Sequence, residues 1–253
     1  MSAFSRVVLL LSLLLASGCA RPSLLEGEAK GFGYQLLTFE PAKADQRFPL
    51  LLVLHGTGET SRHYFELWEK EAKRRKVIVV APAIQELNLD NFYLLVEEIA
   101  RKYPVDRERI LLAGVSSGAL VARWLLNKRP SFWRGVILVA SPTGEHWAEA
   151  ADVAGFPPLL FVHGGRDPQF KLEEIAQQAE VLKERGVKTT LFSYPDAGHE
   201  QRPEWSRRIF DWMEARLYPS EEGSIPQSDS SSGGWSSPVS LLPPSGREDQ
   251  SNR

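Results

Sequence analysis

The chain has 253 residues, of which 43% are hydrophobic, 25% charged and 10% aromatic. This composition supplies enough apolar material for one domain with a sizeable core, which excludes a disordered protein and a small disulfide-stabilised scaffold. The 30 Lys and Arg residues against 32 Asp and Glu residues give a formal net charge of −2, so a nucleic-acid partner is not expected. A single cysteine excludes an internal disulfide and a Cys-rich zinc site.

The N-terminal segment has the three parts of a secretory signal. A short polar start ends in Arg6, residues 7–16 are almost entirely apolar, and the small residues Ser17 and Gly18 follow. An apolar run of about ten residues is half of the roughly 20 that a membrane-spanning helix needs. We therefore interpret residues 1–18 as a signal peptide rather than as a permanent transmembrane anchor.

Leu15-Ala16-Ser17-Gly18-Cys19 resembles a bacterial lipobox. The resemblance implies that Cys19 is acylated, by palmitate among other fatty acids, and becomes the first mature residue. Several acyl chains anchor a protein stably because each buried methylene contributes about 0.8 kcal/mol. We therefore expect an exported bacterial lipoprotein. Ala20, directly after the cysteine, resembles the outer-membrane sorting pattern of enteric bacteria. In a Gram-negative host the protein would then be anchored in the outer membrane and would face the periplasm. An ordinary signal peptide with a chance cysteine is the alternative.

The middle of the chain alternates short apolar runs with longer amphipathic stretches, which is typical of parallel strands joined by helices. Strands are predicted at 34–39, 50–54, 77–81, 110–113, 136–140, 159–162 and 189–193. Helices are predicted at 63–75, 91–102, 117–128, 172–185 and 203–216. The pattern predicts an α/β fold with a doubly wound, mostly parallel sheet, helices on both faces, and a ligand site at the carboxyl ends of the strands.

Two further segments flank this predicted domain, which spans residues 31–218. Residues 19–30 are predicted to be a tether between the lipid anchor and the domain. Residues 219–253 are rich in Ser, Pro and Gly. Such a composition buries too little apolar surface to offset the entropy of ordering, so this tail is predicted to be disordered.

Gly114-Val115-Ser116-Ser117-Gly118 is a G-x-S-x-G pattern between a predicted strand and a predicted helix. That context indicates a nucleophile elbow, in which the serine backbone is strained and the helix amino end favours negative charge. Gly114 and Gly118 would avoid steric clashes on either side of Ser116, the predicted nucleophile. A simple small-residue turn is the alternative, and the strand before the pattern disfavours it.

A serine nucleophile needs a base, and the base needs an acid that holds its tautomer. Asp167 follows the predicted strand at 159–162, and His199 follows the predicted strand at 189–193, so both loops open on the same sheet edge as the elbow. Taken alone, Asp167 could be a turn or helix cap and His199 a surface histidine. Asp196 is a competing acid, but it lies too near His199 in the same loop to reach the far ring nitrogen.

An ester-cleaving site also needs two backbone N–H donors for the oxyanion. One predicted donor is the amide of Ser117, directly after the predicted nucleophile. The other is expected from the glycine-rich loop His55-Gly56-Thr57-Gly58, with Thr57 as the first choice and Gly56 as the second. A plain turn is the alternative for this loop, and His55 is predicted to hold the loop rather than to react.

These residues resemble the α/β-hydrolase superfamily, and the resemblance covers roughly residues 31–217. Within the superfamily, residues 51–58, V-D-R-E-R-I at 105–110, H-G-G-R-D at 163–167 and A-G-H at 197–199 are similar to the group of polyhydroxybutyrate-depolymerase-like, feruloyl-esterase-like and carboxylesterase/phospholipase proteins. The resemblance implies that Ser116 is the nucleophile, Asp167 the orienting acid and His199 the general base. A large cap domain is not expected, because the stretch between residues 140 and 157 is too short for one.

The sequence thus predicts a serine esterase that cleaves a small-molecule carboxylic ester through an acyl-enzyme, with no metal or organic cofactor. A serine peptidase or acylaminoacyl hydrolase is an alternative, because the same triad cleaves amides. A catalytically silent, lipid-anchored binding protein is an alternative of another class, since a fold alone does not establish activity. The sequence identifies no protein partner.

Overall fold

The computed structural model describes residues 20–84, 88–143 and 147–218. The predicted signal peptide at 1–18, the predicted lipidation site Cys19 and the predicted tail at 219–253 lie outside these residues. No helix in the described ranges is both long and apolar enough to cross a membrane.

The strands form one eight-stranded sheet with the order β1-β2-β4-β3-β5-β6-β7-β8. β1 pairs antiparallel with β2, β2 pairs antiparallel with β4, and all other neighbouring strands are parallel. The strands are β1 Arg21–Ala29, β2 Phe32–Glu40, β3 Phe48–Leu54, β4 Ile78–Pro82, β5 Val105–Val115, β6 Gly135–Val139, β7 Leu159–Gly164 and β8 Thr189–Tyr194. The predicted α/β class and mostly parallel sheet are confirmed.

Helices lie between these strands and after the last one. They are α1 Ser61–Arg75, α2 Leu89–Lys102, α3 Ser117–Lys128, α4 Trp147–Ala150, α5 Leu172–Glu184 and α6 Trp205–Leu217, with a short 3-10 helix at Pro130–Phe132. The chain steps from β3 to β4 in one direction and from β4 to β5 in the other, so right-handed crossovers place α1 and α2 on opposite faces of the sheet. α6 contacts α1, and α3 contacts α2. Helices therefore cover both faces, as predicted.

The core lies along the central strands. Every residue of β3, β4, β6 and β7 is buried, because helices cover both sheet faces there. This explains why their sequences are continuous apolar runs rather than alternating ones. The carboxyl ends of β3, β5 and β7 emerge from this buried base, and β8 is paired with β7 along its length, which positions the loops that follow these strands.

Residues Arg21–Ala29 form an edge strand where the sequence predicted a tether. β1 pairs with β2 along its whole length. The two-residue connection Lys30 and Gly31 has φ values of 56° and 82°, and a type I′ hairpin turn needs positive φ at both positions. The tether prediction is wrong for this segment, and the folded domain includes residues before the predicted boundary at 31.

Candidate active site

Ser116 lies at the sharp turn between β5 and α3. Its φ and ψ are 53° and −120°, a conformation that residues with a Cβ atom rarely adopt. The Ser116 amide donates a hydrogen bond to the carbonyl oxygen of Val139 at the end of β6, at 2.9 Å, and its carbonyl accepts from Ala119 at 2.9 Å. The strained turn is thus held by the neighbouring strand and by the first turn of α3.

The two elbow glycines are required by close backbone contacts. A Cβ atom at Gly114 would lie 2.3 Å from the carbonyl oxygen of Gly118, and one at Gly118 would lie 2.3 Å from the carbonyl oxygen of Leu54. Both distances are too short for any side chain. Glycine at these positions lets α3 start directly above β5 and beside β3.

The structure brings the three predicted site residues together. Ser116 Oγ lies 2.8 Å from His199 Nε2, and His199 Nδ1 lies 2.8 Å from Asp167 Oδ2. A carboxylate only accepts hydrogen bonds, so His199 carries its proton on Nδ1 and Nε2 accepts from the Ser116 hydroxyl. The competing acid, Asp196, is exposed and pairs with Arg166 instead, at 2.9 Å.

Asp167 is held by its own loop. Its Oδ1 accepts hydrogen bonds from the amides of Gln169 at 2.8 Å and Phe170 at 3.1 Å, which leaves Oδ2 for His199. Burial of Asp167 opposes ionisation, but the hydrogen bonds from His199 and from the two amides outweigh it. The pKa of Asp167 therefore lies below its ordinary value, and the carboxylate is charged at neutral pH.

The His199 loop approaches the Asp167 loop through two glycines. A Cβ atom at Gly164 would lie 2.2 Å from the carbonyl oxygen of Gly198, and one at Gly165 would lie 2.8 Å from the Cα of Pro195. The Gly165 amide donates to the carbonyl oxygen of Tyr194 at 2.8 Å. The glycines of the 163–167 segment thus let the two loops meet at backbone distance.

The base of the His199 loop is closed by an aromatic pair. The rings of Tyr194, at the end of β8, and Trp205, at the start of α6, stack with centroids 4.1 Å apart and an interplanar angle of 8°. Because these residues flank the loop on both sides, their contact fixes its two ends. Sequence reasoning missed this pair and also Phe170, whose ring lies 5.4 Å from that of His199.

The predicted oxyanion residues are neighbours in space. Thr57 Oγ1 donates a hydrogen bond to Ser117 Oγ at 2.9 Å, which joins the loop after β3 to the start of α3. A Cβ atom at Gly56 would lie 3.3 Å from Ser116 Cβ and 3.8 Å from Tyr64 Oη. Burial, with a smaller contribution from Glu59, raises the pKa of Tyr64 to about 12, so its hydroxyl stays protonated.

His55 holds two loops together. Its Nε2 accepts a hydrogen bond from the amide of Ile84 at 3.0 Å, after β4, so its Nδ1 carries the proton and donates to the carbonyl oxygen of Gly56 at 2.9 Å. His55 therefore lies in the structural position that the sequence suggested. In the described part of the chain, no group of three or more His, Cys, Asp or Glu side chains could hold a metal ion.

Comparisons with known proteins agree with this architecture. The model of the prolyl oligopeptidase family matches residues 143–219, which contain Asp167 and His199. MhqD of Bacillus subtilis (strain 168), which is named as a hydrolase, is 23% identical over 190 residues, covering 66% of this chain and 94% of that protein.

Solved structures have a similar fold. TT1662 from Thermus thermophilus has a TM-score of 0.60 and 22% identity, covering 78% of this chain and 99% of its own. The hyperthermophilic esterase from Pyrobaculum calidifontis has a TM-score of 0.60 and 17% identity, and the match covers 78% of this chain and 85% of the esterase chain. The strand order, the elbow at Ser116 and these likenesses together show that the chain has the α/β-hydrolase fold.

Proposed function

We propose that the protein is a serine hydrolase that cleaves carboxylic esters. The single observation that carries the proposal is the hydrogen-bonded series Ser116, His199 and Asp167 at the carboxyl edge of the sheet, with 2.8 Å between each pair of polar atoms. A serine, a base that contacts it and an acid that orients the base are the parts that acyl transfer needs.

The reaction begins when His199 Nε2 takes the proton of the Ser116 hydroxyl and Ser116 Oγ attacks the ester carbonyl carbon. The imidazolium then gives this proton to the leaving alcohol oxygen as the carbon–oxygen bond breaks, which leaves an acyl group on Ser116. Water, deprotonated by the same imidazole, then attacks the acyl carbon. The imidazolium returns this proton to Ser116 Oγ as the acyl–oxygen bond breaks and the acid leaves. The charged Asp167 stabilises the imidazolium and keeps the Nδ1 proton in place.

The oxyanion is assigned to the amides of Thr57 and Ser117. Among the described residues, the backbone N–H groups of Thr57 and Ser117 donate no hydrogen bond to a loop or cap carbonyl. Both N–H groups are therefore available to a substrate oxygen. The hydroxyl contact between the two side chains keeps the donor loops adjacent. One such donor is typically worth about 100- to 1000-fold in turnover.

Ester chemistry is proposed ahead of amide chemistry because the structurally similar Pyrobaculum calidifontis protein is an esterase. The prolyl oligopeptidase family match spans less than a third of the chain. A serine peptidase therefore remains an outcome of the test. Hydrolysis of a p-nitrophenyl ester and of the p-nitroanilide with the same acyl group would separate the two reactions.

The first experiment uses Ser116→Ala, with Ser117→Ala as the matched control in the adjacent position. Ser116→Ala should abolish turnover of p-nitrophenyl acetate and labelling by a fluorophosphonate probe, because both need the activated hydroxyl. Ser117→Ala keeps the backbone amide and the nucleophile but loses the hydroxyl contact with Thr57, so it should still be labelled, at a reduced rate. Wild-type turnover by Ser116→Ala would overturn the proposal, and failure of the probe to label the wild-type protein would favour a silent binding protein.

We also propose that the enzyme is a lipoprotein anchored through Cys19. The lipobox pattern in the sequence supports this proposal. Metabolic labelling with a palmitate analogue should mark the wild-type protein in the membrane fraction, and Cys19→Ser should remove the label. Ser17→Ala, which keeps the cysteine and a small residue, is the control. An unlabelled wild-type protein would contradict lipidation.

A further inference from the structure

His163 is a buried histidine that the proposed reaction does not use. It lies near the end of β7, and the side chains of His163 and Asp167 are both 0% exposed. His163 Nε2 lies 2.9 Å from the carbonyl oxygen of Phe170 and 3.6 Å from Asp167 Oδ2. Because both neighbours are acceptors, Nε2 must carry the ring proton and donate it to Phe170.

Phe170 connects this donor to the candidate site. Its carbonyl oxygen accepts from His163, its amide donates to Asp167 Oδ1 at 3.1 Å, and its ring contacts the imidazole of His199. A shift of the Phe170 backbone would therefore move the carboxylate and the imidazole at once. The hydrogen bond from His163 holds the Phe170 carbonyl group against the rigid end of β7.

The second ring nitrogen of His163, Nδ1, indicates that this side chain does more than fill space in the core. Among the described residues, His163 Nδ1 has no hydrogen-bond partner, although it is buried. An unsatisfied buried acceptor is unfavourable, and an apolar side chain of similar size would avoid that cost. The presence of histidine here is accounted for by the Nε2–H group, which an apolar side chain lacks.

We propose that His163 is a positioning residue for the Asp167–His199 pair. Its Nε2–H group fixes the Phe170 carbonyl, and through the Phe170 amide and ring it holds the carboxylate and the imidazole in hydrogen-bonding geometry. No proton of the reaction passes through His163. The inference rests on the proposed function, because that function gives Asp167 and His199 their roles.

Two variants of similar size test the role of the donor. His163→Gln places an N–H group at nearly the same distance from the backbone, whereas His163→Leu fills the space without one. We expect His163→Leu to lower kcat for p-nitrophenyl acetate about tenfold or more with little change in KM, since small misplacements of reacting groups are costly. His163→Gln should restore kcat to within about threefold of wild type. Wild-type kcat in His163→Leu would overturn the inference.

Two spectroscopic measurements separate positioning from stability. The downfield proton signal of the His199–Asp167 hydrogen bond should be present in the wild-type protein and His163→Gln and lost in His163→Leu; its retention in His163→Leu would count against positioning. In the wild-type protein, nitrogen NMR should show His163 as the Nε2–H tautomer. This measurement needs no variant to fold, and an Nδ1–H tautomer would overturn the inference.

Failure of this inference and failure of the proposed function give different results. If Ser116→Ala keeps wild-type turnover, the proposed function fails and His163 has no pair to position. If Ser116→Ala is inactive while His163→Leu retains wild-type kcat, the esterase proposal stands and the positioning role alone is wrong.

Discussion

The loops at the carboxyl edge of the sheet and the edge strand β1 are held by different kinds of contact. At the carboxyl edge, each of Ser116, Asp167 and His199 has a specific partner at 2.8 Å, and glycines allow the loops to approach. β1 is held by backbone pairing to β2, and most of its residues are exposed. Side-chain identity therefore matters far more in the first region than in the second.

This difference predicts where substitutions act. Changes at the carboxyl edge should alter turnover, because the side chains there contact one another at hydrogen-bond distance. Those that also remove a buried hydrogen bond or force a backbone clash should lower stability as well. Changes on β1 should alter neither property much, because pairing with β2 uses backbone groups that any residue except proline provides.

Among variants that keep the serine nucleophile, the largest effect is expected at Asp167. Asp167→Asn should lower kcat/KM for p-nitrophenyl acetate by about 10^4-fold, because an amide in place of the carboxylate favours the wrong tautomer of His199. Asp196→Asn is the matched control, since it changes the other acid weighed for this role, and it should change the rate by less than about twofold. Equal losses in the two variants would contradict the assignment of Asp167.

A smaller loss is expected when the two loops are pushed apart. A Cβ atom at Gly164 would meet the backbone carbonyl oxygens of Gly198 and Ala197 at 2.2 and 2.4 Å. Gly164→Ala should therefore displace His199 from Asp167 and lower kcat/KM by about 100-fold. For a Cβ atom at Gly198, no atom lies within 4 Å, so Gly198→Ala should keep most of the rate.

Kinetics of both glycine variants with p-nitrophenyl acetate would measure this contrast. Circular dichroism and thermal melting would check that each variant is folded. A Gly164→Ala enzyme as active as Gly198→Ala would show that the contact between the loops does not set the site geometry.

The pKa of Asp167 gives a prediction for stability against pH. The folded structure lowers this pKa, because the hydrogen bonds from His199 and two amides outweigh the opposing effect of burial. The ionised carboxylate therefore contributes stability above its unfolded pKa of about 3.9, and this contribution is lost as pH falls through the lower folded pKa.

The measurement is the difference in free energy of unfolding between wild type and Asp167→Asn, from urea titrations at several pH values. Below about pH 4 the difference should shrink as the pH falls, because the Asp167 carboxylate is then protonated first in the unfolded state while other carboxylates titrate in both proteins and cancel. A difference that grows as the pH falls below about 4 would contradict the lowered pKa.

Ser116, Asp167 and His199 could be predicted because the residues next to each of them in the sequence indicate its role. Ser116 is marked by glycines two positions away and by the apolar strand before it. Asp167 follows the fully buried strand β7, and His199 follows the half-buried edge strand β8. The positions of the central strands along the chain could be predicted from the same apolar runs. The amphipathic stretches between the strands also predicted the five long helices of the described ranges to within two residues of their observed ends.

The rest of the site and fold depends on contacts between distant segments. β1 contains Pro22 and Gly27 and is mostly exposed, so it lacks both the apolar run and the alternation that identify a strand. α4, at Trp147–Ala150, is too short to show helical periodicity. Phe170 reaches His199 only because the loops after β7 and β8 meet, and its sequence position gives no local signal.

The smallest effect is expected on the edge strand itself. Leu25 on β1 and Leu36 on β2 are register partners, but Leu25 is 39% exposed and Leu36 is 0% exposed. Leu25→Ala should lower the free energy of unfolding by less than about 1 kcal/mol, whereas Leu36→Ala, the matched control, should cost roughly 2–5 kcal/mol. Urea titration measures both. A cost for Leu25→Ala as large as that for Leu36→Ala would mean that β1 is held by side-chain burial, and the contrast between the two regions would fail.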